Sequence, residues 1–416
     1  MKYITLILIL LTSLTSKAQQ SITLEECYDL VTKNYPLAKQ VKLLDEQNKL
    51  DLDVISTSKL PQLSLDAQAS YQSDVIQFPL AMSGIEPLNK DQYRATVSVN
   101  QLIYNGGATD ASLQLKTAQL KTKQKQVEVS LYQLKQQINQ LYFSVLLAQE
   151  SQLLLNAKQA QLEAKLKEVQ SGIKYGVILP SSDKILQAEL LKINQKFNAL
   201  ESNKTSLVQT LSSLISQPLN ASTTFQKPRL DTQLQTELTR PELELFQLKK
   251  EEIENSETLL SKQNAPRLLG FATGGYGNPG LNMLDNSFQT FYTVGVKVNW
   301  TVFDWKANKK QRQSLAINKD FIDNETEIFK LNTNIALNQQ QKEIDKIETF
   351  ITSDLEIINL RKDVLKSADS QLKNGVITSS AYITELTNLY EDENTMVMHN
   401  IQLQLAKANY NVIKGQ

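Results

Sequence analysis

Two residue types that organise many secreted and metal-binding proteins are almost missing. The 416-residue chain holds one cysteine and one histidine, which excludes a disulfide framework and a Cys/His metal cluster within one chain. Charge of one sign is missing too: Lys plus Arg and Asp plus Glu each number 44, so the formal net charge is zero. No basic stripe invites nucleic acid, and no charged tail marks a partner. Past the first twenty residues there is no run of 18 apolar residues, so any membrane crossing has to use strands. Length alone would allow two or three domains.

What is there begins with a leader. Lys2 precedes a mainly apolar run from Ile4 to Leu14, and Ser16-Lys17-Ala18 puts small residues at −3 and −1 of a cleavage site. Residues 1–18 therefore read as a secretory signal peptide rather than a retained anchor, with a mature chain from Gln19. Cys27 has no lipoprotein box ahead of it, so lipidation is not expected.

Helical periodicity dominates the rest. From Leu113, steps of seven reach Leu120, Val127, Leu134, Leu141, Ala148, Leu155, Leu162 and Val169, with no Pro or Gly between. A sustained stride of seven is a coiled-coil signature, and at 1.5 Å per residue it would run roughly 85 Å. Leu186, Ile193, Leu200, Leu207 and Leu214 repeat it. So do Leu315, Ile322, Phe329, Ala336, Phe350, Ile357 and Val364, broken by Glu343, and then Leu389, Met396, Leu403 and Tyr410.

The chain is also duplicated. Residues 34–61 align without a gap on 239–266, Pro36 on Pro241 and Pro61 on Pro266; Tyr71 then falls on Tyr276. Tyr93, Val97, Val99 and Asn100 match Tyr292, Val296, Val298 and Asn299. Gly176-Val177-Ile178 pairs with Gly375-Val376-Ile377, and Ser181-Ser182 with Ser379-Ser380. Two repeats, 19–216 and 239–416, are joined by a Thr- and Gln-rich linker, 217–238. Strands are expected at about 61–72 and 93–104, then 266–277 and 289–303; helical hairpins follow at about 107–216 and 306–414.

The strands are two-faced. In residues 61–72, Leu63, Leu65, Ala67, Ala69 and Tyr71 alternate with Gln62, Ser64, Asp66, Gln68, Ser70 and Gln72. Ten or so residues of such alternation suit a tilted strand crossing a bilayer, with Tyr71, Tyr93, Tyr276 and Tyr292 as interfacial aromatics. Four strands cannot close, and an open edge in lipid leaves backbone groups unsatisfied. Several chains must then share one barrel.

These segments resemble the TolC-like outer membrane efflux proteins over nearly the whole mature chain. "ITLEECYDLVTKNYPLAKQVK" is similar to that family's N-terminal signature, with Cys27 in the small apolar place and Thr23 and Glu26 forming a capping box. "QLIYNGGATDA" resembles its strand-to-helix exit, where the second copy has Trp305-Lys306 in place of the paired glycines. "YGVILPSSDKILQAELLKI" resembles the hairpin at the tunnel tip, and "NGVITSSAYITEL" is its weaker twin. The resemblance implies a mainly α protein with a transmembrane β part: a homotrimer whose 12-stranded barrel in outer membrane lipid continues into an α-helical periplasmic tunnel. It implies a passive exit duct that works with a periplasmic adaptor (a membrane fusion protein) and an inner-membrane RND or ABC pump.

The resemblance makes Gly176, Val177, Ser181, Ser182, Gly375, Val376, Ser379 and Ser380 the adaptor-docking tips, although glycine there also simply ends a helix. At the entrance the family often has acids six and nine positions after the second tip glycine; Ala381 and Thr384 stand there instead, with Glu385 next and Glu391, Asp392 and Glu393 beyond. Asp183, Ala381, Thr384 and Glu385 are the candidate gate. Three symmetry copies of a carboxylate would attract cations, a solvated acidic helix face fits these residues equally, and Asp183 can also serve as a helix cap. His399 beside Met396 and Met398 reads as core or surface, since the three do not share a face. Gly274-Gly275-Tyr276-Gly277 lacks the Lys and helix of a phosphate loop. No catalytic constellation, cofactor or metal is called for. The rival reading is a periplasm-spanning coiled-coil tether or adhesin anchored by its strands.

Overall fold

A computed structural model describes residues 21–76, 87–230 and 237–416. The signal peptide, the mature start at Gln19 and linker positions 231–236 lie outside the described residues. In chain order the elements are β1 (Ser21–Ile22), α1 (Leu24–Asn34), a short 3-10 turn (Pro36–Ala38), α2 (Lys39–Thr57), β2 (Gln62–Tyr71), β3 (Asp91–Tyr104), α3 (Ala108–Lys174), α4 (Ser182–Ile215), β4 (Thr224–Phe225), α5 (Pro241–Lys262), β5 (Arg267–Asn278), β6 (Gln289–Asn299), α6 (Ala307–Lys373) and α7 (Ser379–Lys414). Helix predominates, and among the described residues no helix is long and apolar enough to cross a membrane.

Two compact units result. One comprises the residues up to Gln40, Val127–Leu243 and Glu327–Gln416; the other comprises Val41–Gln126 and Glu244–Thr326.

The helical unit has its largest core where α1 meets α3 and α4. Thr23 caps α1: its hydroxyl accepts from the Glu26 N–H at 3.2 Å while the Glu26 carboxylate accepts from the Thr23 N–H at 2.8 Å. That reciprocal pair fixes the helix start and turns Cys27 and Val31 inward, where both are fully buried beside Ile138, Phe143 and Leu146. The linker contributes to this core. Its residues Thr224–Phe225 pair in parallel with Ser21–Ile22, Phe225 packs edge-on to Tyr142 at 5.2 Å, and the Tyr142 hydroxyl lies 2.7 Å from the Gln226 carbonyl oxygen. Thr and Gln gave no hint of this; three apolar residues, Leu219, Phe225 and Leu230, carry the packing.

Farther along α3 the stride of seven lines the second core, with Leu155, Leu162 and Val169 facing Leu186 and Ile193 of α4. On α6 the stride is displaced. Past Glu343 the buried row is Ile344, Ile351, Ile358, Leu365 and Leu372, one residue later than the row through Phe350, Ile357 and Val364. The latter three are 43–45% exposed. The helix has two adjacent apolar rows, and periodicity alone cannot say which one faces α7.

The sheet unit holds four antiparallel strands in the order β2-β3-β5-β6. Its strand-to-helix turns are left-handed in both repeats, but with different chemistry. Gly106 and Gly107 take φ of +66° and +83°. Trp305 and Lys306 take 53° and 63°, a region that disfavours side chains. Asp304 compensates, its carboxylate accepting from the Lys306 and Asn308 N–H groups at 2.9 Å each.

Candidate functional site

Pairing in the sheet unit decides which side chains share a face. Along β2 and β3 Leu63 stands opposite Val99, Leu65 opposite Val97, Ala67 opposite Ala95 and Ala69 opposite Tyr93. The same face continues through Gly270, Ala272, Gly274 and Tyr276 of β5 and through Tyr292, Val294, Val296 and Val298 of β6. The other face carries Ser64, Asp66, Gln68, Arg94, Thr96, Ser98, Asn100, Thr273, Thr293, Lys297 and Asn299. The division is strict along β2, whereas on β5 and β6 the face of the polar residues also holds Leu269, Phe271 and Phe291. The apolar side is bare, with Leu65, Tyr292 and Val296 exposed. Aromatics mark one end of it, where Phe288 stacks between Tyr93 and Tyr276 at 6.3 and 5.4 Å. At the other end Trp300, Phe303 and Trp305 are exposed, a second aromatic group that the alternation pattern did not single out. Gly275 of β5 and Gly295 of β6 make room for aromatics on the other face. Phe291 lies over Gly275, its ring 2.5 Å from where a Cβ would be, and Phe271 lies over Gly295.

In the helical unit the two hairpin tips have one geometry. At the first, the Gly176 N–H donates to Ile173 and the Val177 N–H to Gly172; at the second, Gly375 donates to Leu372 and Val376 to Gln371. Both are the paired bonds of a helix ended by a left-handed residue, with φ of +76° at Gly176 and +71° at Gly375. Helix termination thus explains both glycines. Gly172 is a further glycine of the first tip that sequence reading missed: Ile178 fills the space a side chain would take. The tips adjoin, since a Cβ on Gly375 would lie 3.5 Å from the Val177 carbonyl oxygen. Val177 and Val376 are exposed together with Tyr175 and Leu179. Ser181 and Ser380 are exposed, whereas Ser182 and Ser379 are buried.

The candidate gate residues differ in setting. Ala381 and Thr384 are exposed, and the Thr384 hydroxyl donates to the Ser380 carbonyl at 3.1 Å. Asp183 does not cap α4: Ser181 holds the cap position, and the Asp183 carboxylate is mostly buried, with Gln187 Nε2 and Lys184 Nζ each 3.5 Å from its Oδ2. Glu385 lies 3.7 Å from Arg361 of α6. Arg361 also donates to Asp392 at 3.0 Å, and Lys362 lies 3.6 Å from Glu393. Glu385, Asp392 and Glu393 are therefore each countered by a cation on α6.

Two buried lysines of α3 were not foreseen, because a heptad reading files lysine with the surface. Lys158, 4% exposed, reaches Glu189 of α4 and the Thr387 hydroxyl of α7, each at 3.3 Å, and sits over the Tyr390 ring. Lys165, 7% exposed, bonds Glu168 at 2.5 Å and Asp369 of α6, beneath the Tyr382 ring. Burial alone would lower the Lys165 ammonium, but bonds from Asp369 and Glu168 hold it above the ordinary lysine value. Burial would likewise raise Asp369, yet Lys165 and Lys373 hold it below the ordinary carboxyl value. His399 is partly buried in the second hairpin, its Nδ1 2.6 Å from Asp354 Oδ2.

Comparison with protein-family models gives no match, and comparison with curated proteins gives none either. Solved structures do match. The outer membrane protein VceC of Vibrio cholerae aligns over 94% of this chain and 96% of its own, at 12% identity and a TM-score of 0.65. The CmeC outer membrane channel of Campylobacter jejuni aligns over 94% and 85%, at 15% identity and 0.65. The MtrE outer membrane channel of Neisseria gonorrhoeae, solved in an open state, aligns over 94% and 89%, at 14% identity and 0.62. The chain shares their fold along almost its whole length.

Proposed function

We propose that this protein is the outer membrane exit duct of a tripartite efflux or type I secretion system, a TolC-like channel. The observation that carries the reading is the sheet: one continuous apolar face, an opposite face that gathers the charged and amide side chains, and two open edges. In lipid such a sheet is satisfied only by closing with other copies. Three chains would supply twelve strands, within the range of closed outer membrane barrels, with the polar faces lining a water-filled lumen. The exposed apolar row of α6 would be covered in the same assembly. A tether needs neither a polar second face nor two matched tips.

The tips are the docking elements for a periplasmic adaptor serving an inner-membrane pump of the RND or ABC type, through the exposed Val177, Val376, Tyr175 and Leu179. Deleting the gene should raise accumulation of the pump's substrates as much as deleting the pump does, and unchanged accumulation would count against a duct. Gly375→Val forces a β-branched residue to a φ of +71° at about 1–2 kcal/mol, which long helices can absorb. It should leave assembly intact and abolish efflux; normal efflux from a well-expressed variant would reduce the glycine to a helix terminator.

The gate in this reading is a latch between hairpins, Lys165 to Asp369 and Lys158 to Thr387, with Glu189 of its own hairpin holding Lys158, while Glu385, Asp392 and Glu393 are countered by α6 cations. Removing one partner of a buried pair costs about 3 kcal/mol or less where the other is partly solvated. Lys165→Ala should therefore admit large hydrophilic antibiotics that wild-type cells exclude. Because the Asp369 carboxyl lies below its ordinary value, its contribution is complete above about pH 4 and is lost as pH falls further. Acid should then loosen wild type, and Asp369→Asn should remove that dependence; equal acid sensitivity in both would reject Asp369 as the latch.

A further inference from the structure

The duplicated chain contains, inside one copy, the counterpart of a junction between copies. β3 and β5 belong to different repeats and pair antiparallel, with Val97 opposite Gly274, Ser98 opposite Thr273 and Asn100 opposite Phe271. In the repeat alignment Tyr93 falls on Tyr292 and Pro61 on Pro266, so β3 corresponds to β6, and β5 to β2. We propose that β6 of one copy pairs with β2 of the next in the register of β3 with β5: Val296 opposite Ala69, Lys297 opposite Gln68, and Asn299 opposite Asp66 of the neighbouring copy. The proposal rests on the trimeric barrel above and specifies its seam.

Three observations converge on this register. The first is facing. Val296 and Ala69 lie on the apolar face of their own strands, and Lys297, Asn299, Gln68 and Asp66 on the polar face, so the apolar surface runs across the seam unbroken. A one-residue slip would turn every side chain of one strand to the wrong face.

The second is the length of β6. Its counterpart β3 continues past Asn100, and residues Gln101, Leu102 and Tyr104 pair only with β5: with Gly270, Leu269 and Leu268. The matching residues, Trp300, Thr301 and Phe303, have no strand pairing, and β6 stops at Asn299. In the proposed register they meet Leu65, Ser64 and Leu63 of the next copy, themselves on the open outer edge of β2. Exposed strand edges of this kind are templates for another chain.

The third is charge. Asp66 and Lys297 both stand on the polar face, and neither has an ion-pair partner within the chain among the described residues. The register sets Lys297 opposite Gln68 and one diagonal step from Asp66 of the next copy, a separation of about 7–8 Å that a lysine spans. Ser98 and Thr273, the in-chain counterparts of Lys297 and Gln68, already bond through their hydroxyls at 3.1 Å. The seam replaces that bond with an ionic one, which adds discrimination against slipped pairings.

The test is disulfide trapping in whole outer membranes in a Cys27→Ala background. Lys297→Cys with Gln68→Cys, and Val296→Cys with Ala69→Cys, should give reductant-sensitive, heat-stable oligomers several-fold more efficiently than the shifted pairs Lys297→Cys with Ser70→Cys and Lys297→Cys with Asp66→Cys. Equal or better trapping in the shifted pairs, or none in any pair while an unboiled trimer persists in detergent, overturns the register and leaves the trimeric barrel standing. Loss of both the unboiled trimer and all trapping in variants that still reach the membrane overturns the barrel as well. A charge swap gives a second reading: Lys297→Asp alone should lower the temperature at which the trimer dissociates, and adding Asp66→Lys should restore it. No recovery counts against the contact.

Discussion

Val296→Arg should abolish stable assembly, while Thr293→Arg, three positions away on the same strand, should leave it nearly intact. Val296 lies on the apolar face and Thr293 on the polar face. An arginine facing the middle of a bilayer costs about 2–4 kcal/mol per copy, and a symmetric assembly carries that cost at every copy. On the polar face the same charge stays in water. Heat-resistance of the detergent-solubilised oligomer measures the difference; equal effects at the two positions would mean that the faces do not divide lipid from water.

Phe225→Ala should lower stability of the helical unit by about 3–5 kcal/mol, the range for removing a buried aromatic. Phe225 is 1% exposed and packs on Tyr142 within the core around Cys27, Ile138 and Ile215. Thermal unfolding followed by circular dichroism reads this directly, and the neighbouring Thr224→Ala serves as the small-effect control. A negligible shift for Phe225→Ala would mean that residues 217–238 are only a connector.

Much of the architecture was legible because it repeats. Strict alternation from Leu63 to Tyr71 and a stride of seven from Leu113 to Val169 are long-range patterns that few other structures satisfy, and the strands and helices lie on those segments. The capping box at Thr23 was legible because its chemistry is local. Features set by partners far along the chain were not. The buried row of α6 lies one residue from the row that sequence favoured, since Phe350 and Ile351 are equally apolar. Phe225 gains its role from pairing with a strand two hundred residues earlier. At the tips, glycine and serine were found from duplication, but the burial of Lys158 and Lys165 follows from carboxylates on other helices. Glu385, a candidate gate residue in the sequence, has Arg361 beside it for the same reason.

Current through single molecules in a planar bilayer tests the duct most directly, using purified wild type beside Lys165→Ala. A gated aqueous channel predicts small, stable unit conductances for wild type and several-fold larger ones for the variant, with the assembled oligomer as the conducting species. Oligomer that inserts but carries no current in either form would contradict the account and leave a tether as the reading of this fold.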